Sequence, residues 1–184
     1  MRILGVDPGT WRTGAGIIET KGSGYHEVHS RVITVKGKPS VPARLHLIYK
    51  TLLEIIAEHR PDVLALEKFF FGKDFEAMVR VGEARACAML AASESGIEVV
   101  EYAPMQVKRS VTGNGHATKG QIQHMVKTLL GLRELPPPDG ADALALAICH
   151  AHYYRLPSLR GGGADEAISK LGLPRPPKIT AGSQ

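Results

Sequence analysis

The chain opens with the stretch that decides its fold, residues 1–14, MRILGVDPGTWRTG. The apolar residues Ile3, Leu4 and Val6 predict a strand that ends on the carboxylate of Asp7, with a Pro-Gly pair directly after it. Burying an ionised carboxylate costs free energy unless it is paired or binds a metal ion. Asp before Pro-Gly is also common in turns, so this stretch alone is consistent with either a turn former or a catalytic group.

The composition indicates one globular domain of ordinary size. Of the 184 residues, 43% are hydrophobic and 22% charged, and the formal net charge of +5 favours an anionic partner, with nucleic acid ahead of a membrane surface. We find no signal peptide and no apolar stretch long enough to cross a membrane, so we expect a cytoplasmic protein. Cys87 and Cys149 stand in apolar runs without metal-ligand spacing, and we expect both to be buried.

The rest of the chain alternates between strand and helix patterns. Strand-like runs on both sides of a Gly-rich turn predict a hairpin, and a buried parallel strand is predicted at residues 62–71. Apolar residues at spacings of three and four predict helices. The predicted helices cover Leu45 to Arg60, 74–95, 105–111, 119–130 and about 140–154.

This order of elements predicts an α/β fold with a mixed five-stranded sheet flanked by helices, and the ribonuclease H-like fold shares that order. We expect a single domain over residues 1–156. Residues 157–184 are rich in Gly and Pro and are predicted to form a mobile tail.

A second carboxylate, Glu67, lies near the end of the apolar run DVLALEKFFF at residues 62–71. In open α/β sheets, ligand sites lie beyond the carboxyl ends of the strands. The alternative is that Glu67 or Lys68 simply emerges at the edge of the sheet, without a role. Two core strands that each end on an acid, Asp7 and Glu67, favour a shared site.

A third pair of acids, Asp139 and Asp142, begins the last predicted helix in PPPDGADALALAICH. Three residues apart on a helix, they lie on one face. A capping box with Asp139 as N-cap explains the first of them well. It explains Asp142 less well, because the apolar residues from Ala143 to Cys149 predict a buried helix, so that Asp142 points into the protein or its active site.

The four acids together predict a metal-dependent nuclease site. Oxygen ligands without a histidine or cysteine cluster favour Mg²⁺ or Mn²⁺ over Zn²⁺. Two such ions about 3.5–4 Å apart would activate a water molecule and stabilise the leaving oxygen of a phosphodiester. Without cations, carboxylates this close would repel one another.

Basic and aromatic residues near these acids are candidate contacts for DNA. Lys108, Arg109, His116 and Lys119 surround a Gly-rich loop whose amides and lysines suit phosphates, although an ordinary solvated loop fits the pattern equally well. The three phenylalanines at 69–71 cannot all face inward on a strand, so at least one is expected to be exposed beside the acids.

The Ala-rich helix over 74–95 carries more small apolar surface than one face of a sheet needs. We expect a broad apolar face that packs on the sheet or, in part, forms a symmetric dimer contact. The face comprises Phe75, Met78, Val79, Gly82, Ala86, Met89 and Leu90.

From residue 1 to about residue 154 the chain resembles the bacterial RuvC-type Holliday junction resolvases. The likeness lies in the stretches ILGVDPGTWRTGAGII, ARLHLIYKTLLEII, LALEKFFFGKDFEAMVRVGEARACAML, VVEYAPMQVKRSVTGNGHATKGQIQHMVKTLL and DGADALALAICHAH. It implies a ribonuclease H-like homodimer that nicks two opposing strands of a four-way DNA junction in recombination and repair. It further implies a junction-binding protein and a branch-migration motor of the RuvA/RuvB type as partners.

The resemblance also assigns residue roles. It implies that four acids bind Mg²⁺ or Mn²⁺ and catalyse hydrolysis, that Phe70 engages an unstacked base, and that Lys108 and Lys119 contact DNA close to the cut. The implied acids are Asp7, Glu67, Asp139 and Asp142.

Three other interpretations fit parts of the pattern. A shorter RuvC-like nuclease acting on RNA would share the Asp-Pro-Gly signal, but the likeness runs well beyond that signal. An actin-like or sugar-kinase-like nucleotide-binding domain needs a second lobe, and the pattern GxxxxGK[ST] is absent. A non-catalytic junction-binding module would have no need of four converging acids.

Overall fold

The computed structural model describes residues 1–22, 24–68 and 74–155, which form a mixed sheet of five strands. The strand order is β3-β2-β1-β4-β5; β1 pairs antiparallel with β2 and parallel with β4. The predicted hairpin is the antiparallel pair of β2 and β3, and β5 lies parallel to β4. The strands are β1 (Arg2–Asp7), β2 (Arg12–Lys21), β3 (Gly24–Thr34), β4 (Val63–Glu67) and β5 (Glu98–Tyr102).

Within the described ranges, five helices flank the sheet, as the sequence predicts, and they cover both of its faces. Two of them, α1 and α2, share one hydrophobic core with the sheet, and the other three share a second core on the opposite face. None of the described helices is long and apolar enough to cross a membrane. The helices are α1 (Val41–His59), α2 (Phe75–Glu94), α3 (Pro104–Thr112), α4 (Lys119–Leu130) and α5 (Pro138–Arg155).

The opening strand β1 lies in the middle of the sheet and serves both cores. Successive side chains of a strand point to opposite faces. Leu4 and Val6 accordingly pack towards α1 and α2, whereas Ile3 packs towards α5. All three are fully buried, so the strand that ends on Asp7 is a rigid support.

Glycines let α5 approach the sheet at backbone distance. A Cβ atom at Gly5 would lie 1.9 Å from the carbonyl oxygen of Ala143, and one at Gly14 would lie 2.0 Å from that of Asp139. No side chain fits in either gap. The close approach brings the first turn of α5 against the strands that flank Asp7, since Gly14 pairs with Asp7 across the β1–β2 ladder.

The start of α5 differs from the prediction. The helix begins at Pro138, two residues earlier than expected, and the carbonyl of Pro137 accepts the hydrogen bond of the Ala141 amide at 2.8 Å. Proline suits the first helical position because it lacks an amide hydrogen to satisfy. Asp139 is therefore in the first turn rather than at the N-cap, which leaves its side chain free for another partner.

The buried face of α2 also differs from the prediction. Its small residues Ala84, Cys87 and Ala88 pack against α1, whereas the large apolar residues point outwards. Of the predicted apolar face, Phe75 is 75% exposed and Leu90 is 61% exposed. The alternative of packing on the sheet is therefore wrong for these large residues.

Two predictions lie outside the described residues. Strand β4 ends at Glu67, and the phenylalanines at 69–71 fall in the undescribed segment. The predicted tail at residues 157–184 lies outside the described residues as well. Both cysteines are buried, as expected.

Candidate active site

Three of the four predicted acids line one cleft at the carboxyl ends of β1 and β4. Asp7 ends β1 and Glu67 ends the neighbouring parallel strand β4, so the sheet itself brings them together. Asp142 reaches the cleft from the first turns of α5. The cleft has a volume of about 170 Å³, and Lys108 of α3 and Lys119 of α4 also line it.

The carboxylates of this cleft strongly influence one another. Burial, followed by the neighbouring charges of Asp142 and Glu67, raises the pKa of Asp7 to about 7. Burial, followed by the charge of Asp142, also raises the pKa of Glu67. The low dielectric of the cleft and the neighbouring negative charges both disfavour the ionised forms of these carboxylates. Cations bound in the cleft would offset both effects.

Lys119 supplies part of that positive charge. Its Nζ lies 3.4 Å from Oδ2 of Asp142, and the negative charge of Asp142 raises the pKa of the lysine. Thr118 fixes the start of α4 through a capping box with Gln121, in which the Gln121 side chain accepts from the Thr118 amide at 2.9 Å. The cap therefore determines where the lysine side chain leaves the helix.

Asp139 does not line the cleft. Its Oδ2 lies 2.5 Å from Nε of Arg12, the first residue of β2. The charge of Asp139 still raises the pKa of Asp7, although it is the smallest of the contributions. The structure thus brings three acids together and holds the fourth close by in an ion pair.

Two arginines near the acids were missed in the sequence analysis. Arg12 belongs to the opening stretch, five residues after Asp7, but nothing in the sequence points to its partner Asp139. Arg85 donates a hydrogen bond to the backbone carbonyl of Glu67 and forms an ion pair with Glu101. Its only signal in the sequence is its position between two alanines, Ala84 and Ala86, in an Ala-rich helix.

Of the other residues predicted to lie near DNA, two are exposed and one lies outside the described residues. His116 and Arg109 are exposed, and the loop between α3 and α4 is held by Asn114, whose side chain accepts from the His116 amide at 2.9 Å. Phe70 lies outside the described residues, so its predicted contact with DNA stays a prediction.

The donor set of the cleft is chemically suited to a hard divalent cation. The acids offer only oxygen atoms, which Mg²⁺ and Mn²⁺ prefer. Within residues 1–22, 24–68 and 74–155, no three acidic, histidine or cysteine side chains are grouped closely enough to form a complete ligand set. The ion pairs of Lys119 and Arg12 account for two of the four acids, Asp142 and Asp139.

Comparison with known proteins identifies the family. The model of the family described as crossover junction endodeoxyribonuclease RuvC matches residues 3–150. A protein of this description from Pelotomaculum thermopropionicum is 51% identical over 156 residues, which cover 84% of this chain and 94% of that protein. One from Rubrobacter xylanophilus is 42% identical over 167 residues, covering 90% and 93% of the two chains.

Solved structures agree with this result. The T. thermophilus RuvC in complex with a Holliday junction substrate is 37% identical, with a TM-score of 0.80 over 85% of this chain and 96% of that one. A second Thermus thermophilus RuvC structure is 34% identical, with a TM-score of 0.76 over 96% of this chain and 100% of that one. The predicted ribonuclease H-like fold is thereby confirmed. The carboxylate cleft, the match over nearly the whole domain and the shared fold together place the chain in the RuvC family of crossover junction endodeoxyribonucleases.

Proposed function

We propose that this chain resolves four-way Holliday junctions by hydrolysing one phosphodiester in each of two opposing DNA strands. The observation that carries the proposal is the cleft in which Asp7, Glu67 and Asp142 converge beside two lysines. A family member that covers most of this chain has been solved with a Holliday junction substrate, which supports the same substrate here. Such junctions arise in recombination and repair of chromosomal DNA, so the proposal also favours the expected cytoplasmic location.

We further propose that the four acids hold Mg²⁺, or Mn²⁺ in its place, and that two ions bind per site. Asp7, Glu67 and Asp142 would hold them in the cleft, with Asp139 as a further ligand when Arg12 releases it. Such ions, when bound, supply a nucleophilic hydroxide at neutral pH and stabilise charge on the leaving oxygen. The raised pKa of both Asp7 and Glu67 supports this role, because cations would relieve the repulsion that the charge of Asp142 exerts on each of them.

The lysines have a separate role in the proposal. Lys119 is largely exposed and remains positively charged beside Asp142, so it can turn to a phosphate that enters the cleft. Lys108 lines the same cleft from α3. Both would orient the scissile strand against the acids without reading its sequence. Phe70, which follows Glu67 by three residues, stays a candidate for an unstacked base.

We propose a homodimer, because two nicks in opposing strands need two active sites. The exposed apolar face of α2 supports this assembly, since Phe75, Val79 and Leu90 lie in a line along one side of the helix and are 75%, 45% and 61% exposed. A water-exposed stripe of this kind is typical of a protein contact. A junction-binding protein and a branch-migration motor of the RuvA/RuvB type remain the proposed further partners.

Cleavage of a labelled four-way junction tests the proposed function most directly. The junction is compared with linear duplex and with RNA–DNA hybrids, in the presence of Mg²⁺ and of Mn²⁺, and without either ion. We expect paired, symmetric nicks in the junction only, and only with a divalent ion. Cutting of the hybrid alone would favour a nuclease acting on RNA, and binding without any cleavage would favour a junction-binding module.

A further inference from the structure

An exposed tryptophan stands beside the candidate active site without a role in it. Trp11 is the single tryptophan of the chain and follows Asp7 by four residues. It is 42% exposed, which leaves much of a large aromatic side chain in contact with solvent. The residue therefore offers a large aromatic surface to solvent at the edge of the sheet where the acids lie.

A buried arginine fixes the tryptophan ring in place. The guanidinium carbon of Arg44, on α1, lies 4.5 Å from the centre of the Trp11 ring. Arg44 itself is only 9% exposed, and its buried Nε has no hydrogen-bond partner among the described residues. The cation covers one side of the ring, so the exposed surface of Trp11 is held in a fixed orientation.

The tryptophan and the acids lie on opposite faces of the same sheet edge. Neighbouring side chains in an extended segment point to opposite faces. Arg12 reaches Asp139 of α5, whereas Trp11 reaches Arg44 of α1. Trp11 directly precedes Arg12, so the tryptophan lies one residue from the ion pair that holds Asp139 beside the acid cleft.

The surroundings of Trp11 are basic. The carbonyl of Trp11 accepts a hydrogen bond from the amide of Val35 at 3.0 Å, and the exposed residues Lys36 and Lys38 follow directly. From residue 28 to residue 44 the chain contains four lysines and arginines and no acidic residue. A surface of this charge complements a phosphate backbone rather than an acidic or neutral protein.

We propose that Trp11, supported by Arg44, is a stacking site for an unpaired nucleobase of the DNA strand that enters the acid cleft. Lys36 and Lys38 bind the phosphates next to that base. Aromatic rings stack on any base, so the site adds affinity without sequence preference. The bases at a junction crossover lose a stacking neighbour and can reach such a ring. This inference rests on the proposed function, because it takes junction DNA as the ligand.

The fluorescence of the single tryptophan tests the contact directly. The Asp7→Asn variant, in which the DNA stays intact, is titrated with an unlabelled four-way junction while tryptophan emission and its quenching by acrylamide are recorded. We expect a large change in emission and protection from acrylamide at saturation, and smaller changes with linear duplex of the same sequence. Unchanged emission and unchanged acrylamide quenching at saturation, established in parallel by anisotropy of a labelled junction, would overturn the proposal.

Matched variants separate stacking from a structural role. Trp11→Ala should weaken junction binding about 5- to 150-fold, the effect of losing one stacked base, whereas Trp11→Phe should retain most of the affinity. Tyr154→Ala is the control, because it removes an aromatic side chain that is 46% exposed near the far end of α5. Thermal unfolding checks that all variants fold. Wild-type affinity in folded Trp11→Ala would refute the stacking site.

The lysines are tested by the salt dependence of binding. Lys36→Gln and Lys38→Gln should each reduce the slope of log affinity against log salt by about 0.7, the value for a contact to single-stranded DNA. Lys50→Gln, which removes an exposed charge further along α1, should leave the slope unchanged. If the wild-type chain binds and cuts junctions but the Trp11 and lysine variants bind them like the wild type, only this inference fails. If the wild-type chain neither binds nor cuts junctions, the proposed function itself fails.

Discussion

Replacing Gly14 by alanine tests whether the close approach of α5 positions the active site. The added Cβ would lie 2.0 Å from the carbonyl oxygen of Asp139, whereas ordinary contact begins at 3.4 Å. The first turn of α5 must therefore retreat by about 1.4 Å, the difference between these distances. A displacement of about 1 Å at a catalytic group can cost roughly 100-fold in rate. We expect Gly14→Ala to lower the cleavage rate by about 100-fold or more.

The assay is single-turnover cleavage of a labelled junction with enzyme in excess, so that binding does not limit the rate. Junction affinity should change little, because Lys108 and Lys119 lie on α3 and α4. Overpacking of this kind typically destabilises a protein by about 1–3 kcal/mol, and thermal unfolding measures that part separately. Gly24→Ala is the control, because the nearest atom to its Cβ would be a carbonyl oxygen 3.8 Å away. A folded Gly14→Ala variant that cleaves at the wild-type rate would refute the argument.

Three further predictions concern charge at the site. Asp7→Asn should keep junction binding and lose cleavage, measured by anisotropy and by strand cutting; cleavage at the wild-type rate would remove Asp7 from the proposed metal site. Lys119→Ala should reduce the salt slope of junction binding by about 0.9, the value for one duplex phosphate contact, and an unchanged slope would exclude that contact. Burial and the neighbouring carboxylates raise the pKa of Asp7 to about 7, so the folded chain without metal holds a proton that the unfolded chain releases near pH 4. Stability should therefore fall as pH rises from about 4 to 7 and then level off. Melting temperatures in chelator should show this fall, and it should be weaker in Asp7→Asn; an equal fall in both proteins would assign it to other groups.

The opening strand and the acids at the strand ends were predictable because each depends on a local pattern. The run before Asp7 and the run before Glu67 are both apolar and short, and parallel strands place their carboxyl ends at one edge. The apolar residues of α5 likewise predicted a buried helix, and Asp142 does point into the cleft. These conclusions needed only periodicity and the cost of burying a charge.

The partner of Asp139 could not be predicted in the same way. Its ion pair with Arg12 joins residues 127 positions apart, and no local pattern encodes such a contact. The two-residue difference in the start of α5 had a local cause, because Pro138 fits the first helical position as well as Asp139 fits the cap. The preference of Asp for the N-cap and that of Pro for the first helical position predict different starts, and the helix begins at the proline.

The buried face of α2 was mispredicted because the prediction followed the hydrophobicity of the side chains and not their size. Hydrophobicity ranks Phe75 and Leu90 above alanine as core residues, but a closely packed pair of helices needs small side chains at the contact. Ala84 and Ala88 supply them against α1, so the larger residues are left at the surface. A surplus of small residues in a helix therefore marks the inner face, and the large residues mark a face available to another chain.

The two contacts of Arg85 connect α2, whose outer side is an exposed apolar surface, to strands β4 and β5. The arginine leaves the helix towards the sheet, where it binds the carbonyl that ends β4 and the side chain of Glu101 on β5. The Arg85 side chain therefore connects α2 directly to the backbone of Glu67. A second subunit seated on that side would press on the same helix that steadies the acid. In the proposed dimer, the contact between subunits would therefore help to hold Glu67 in place.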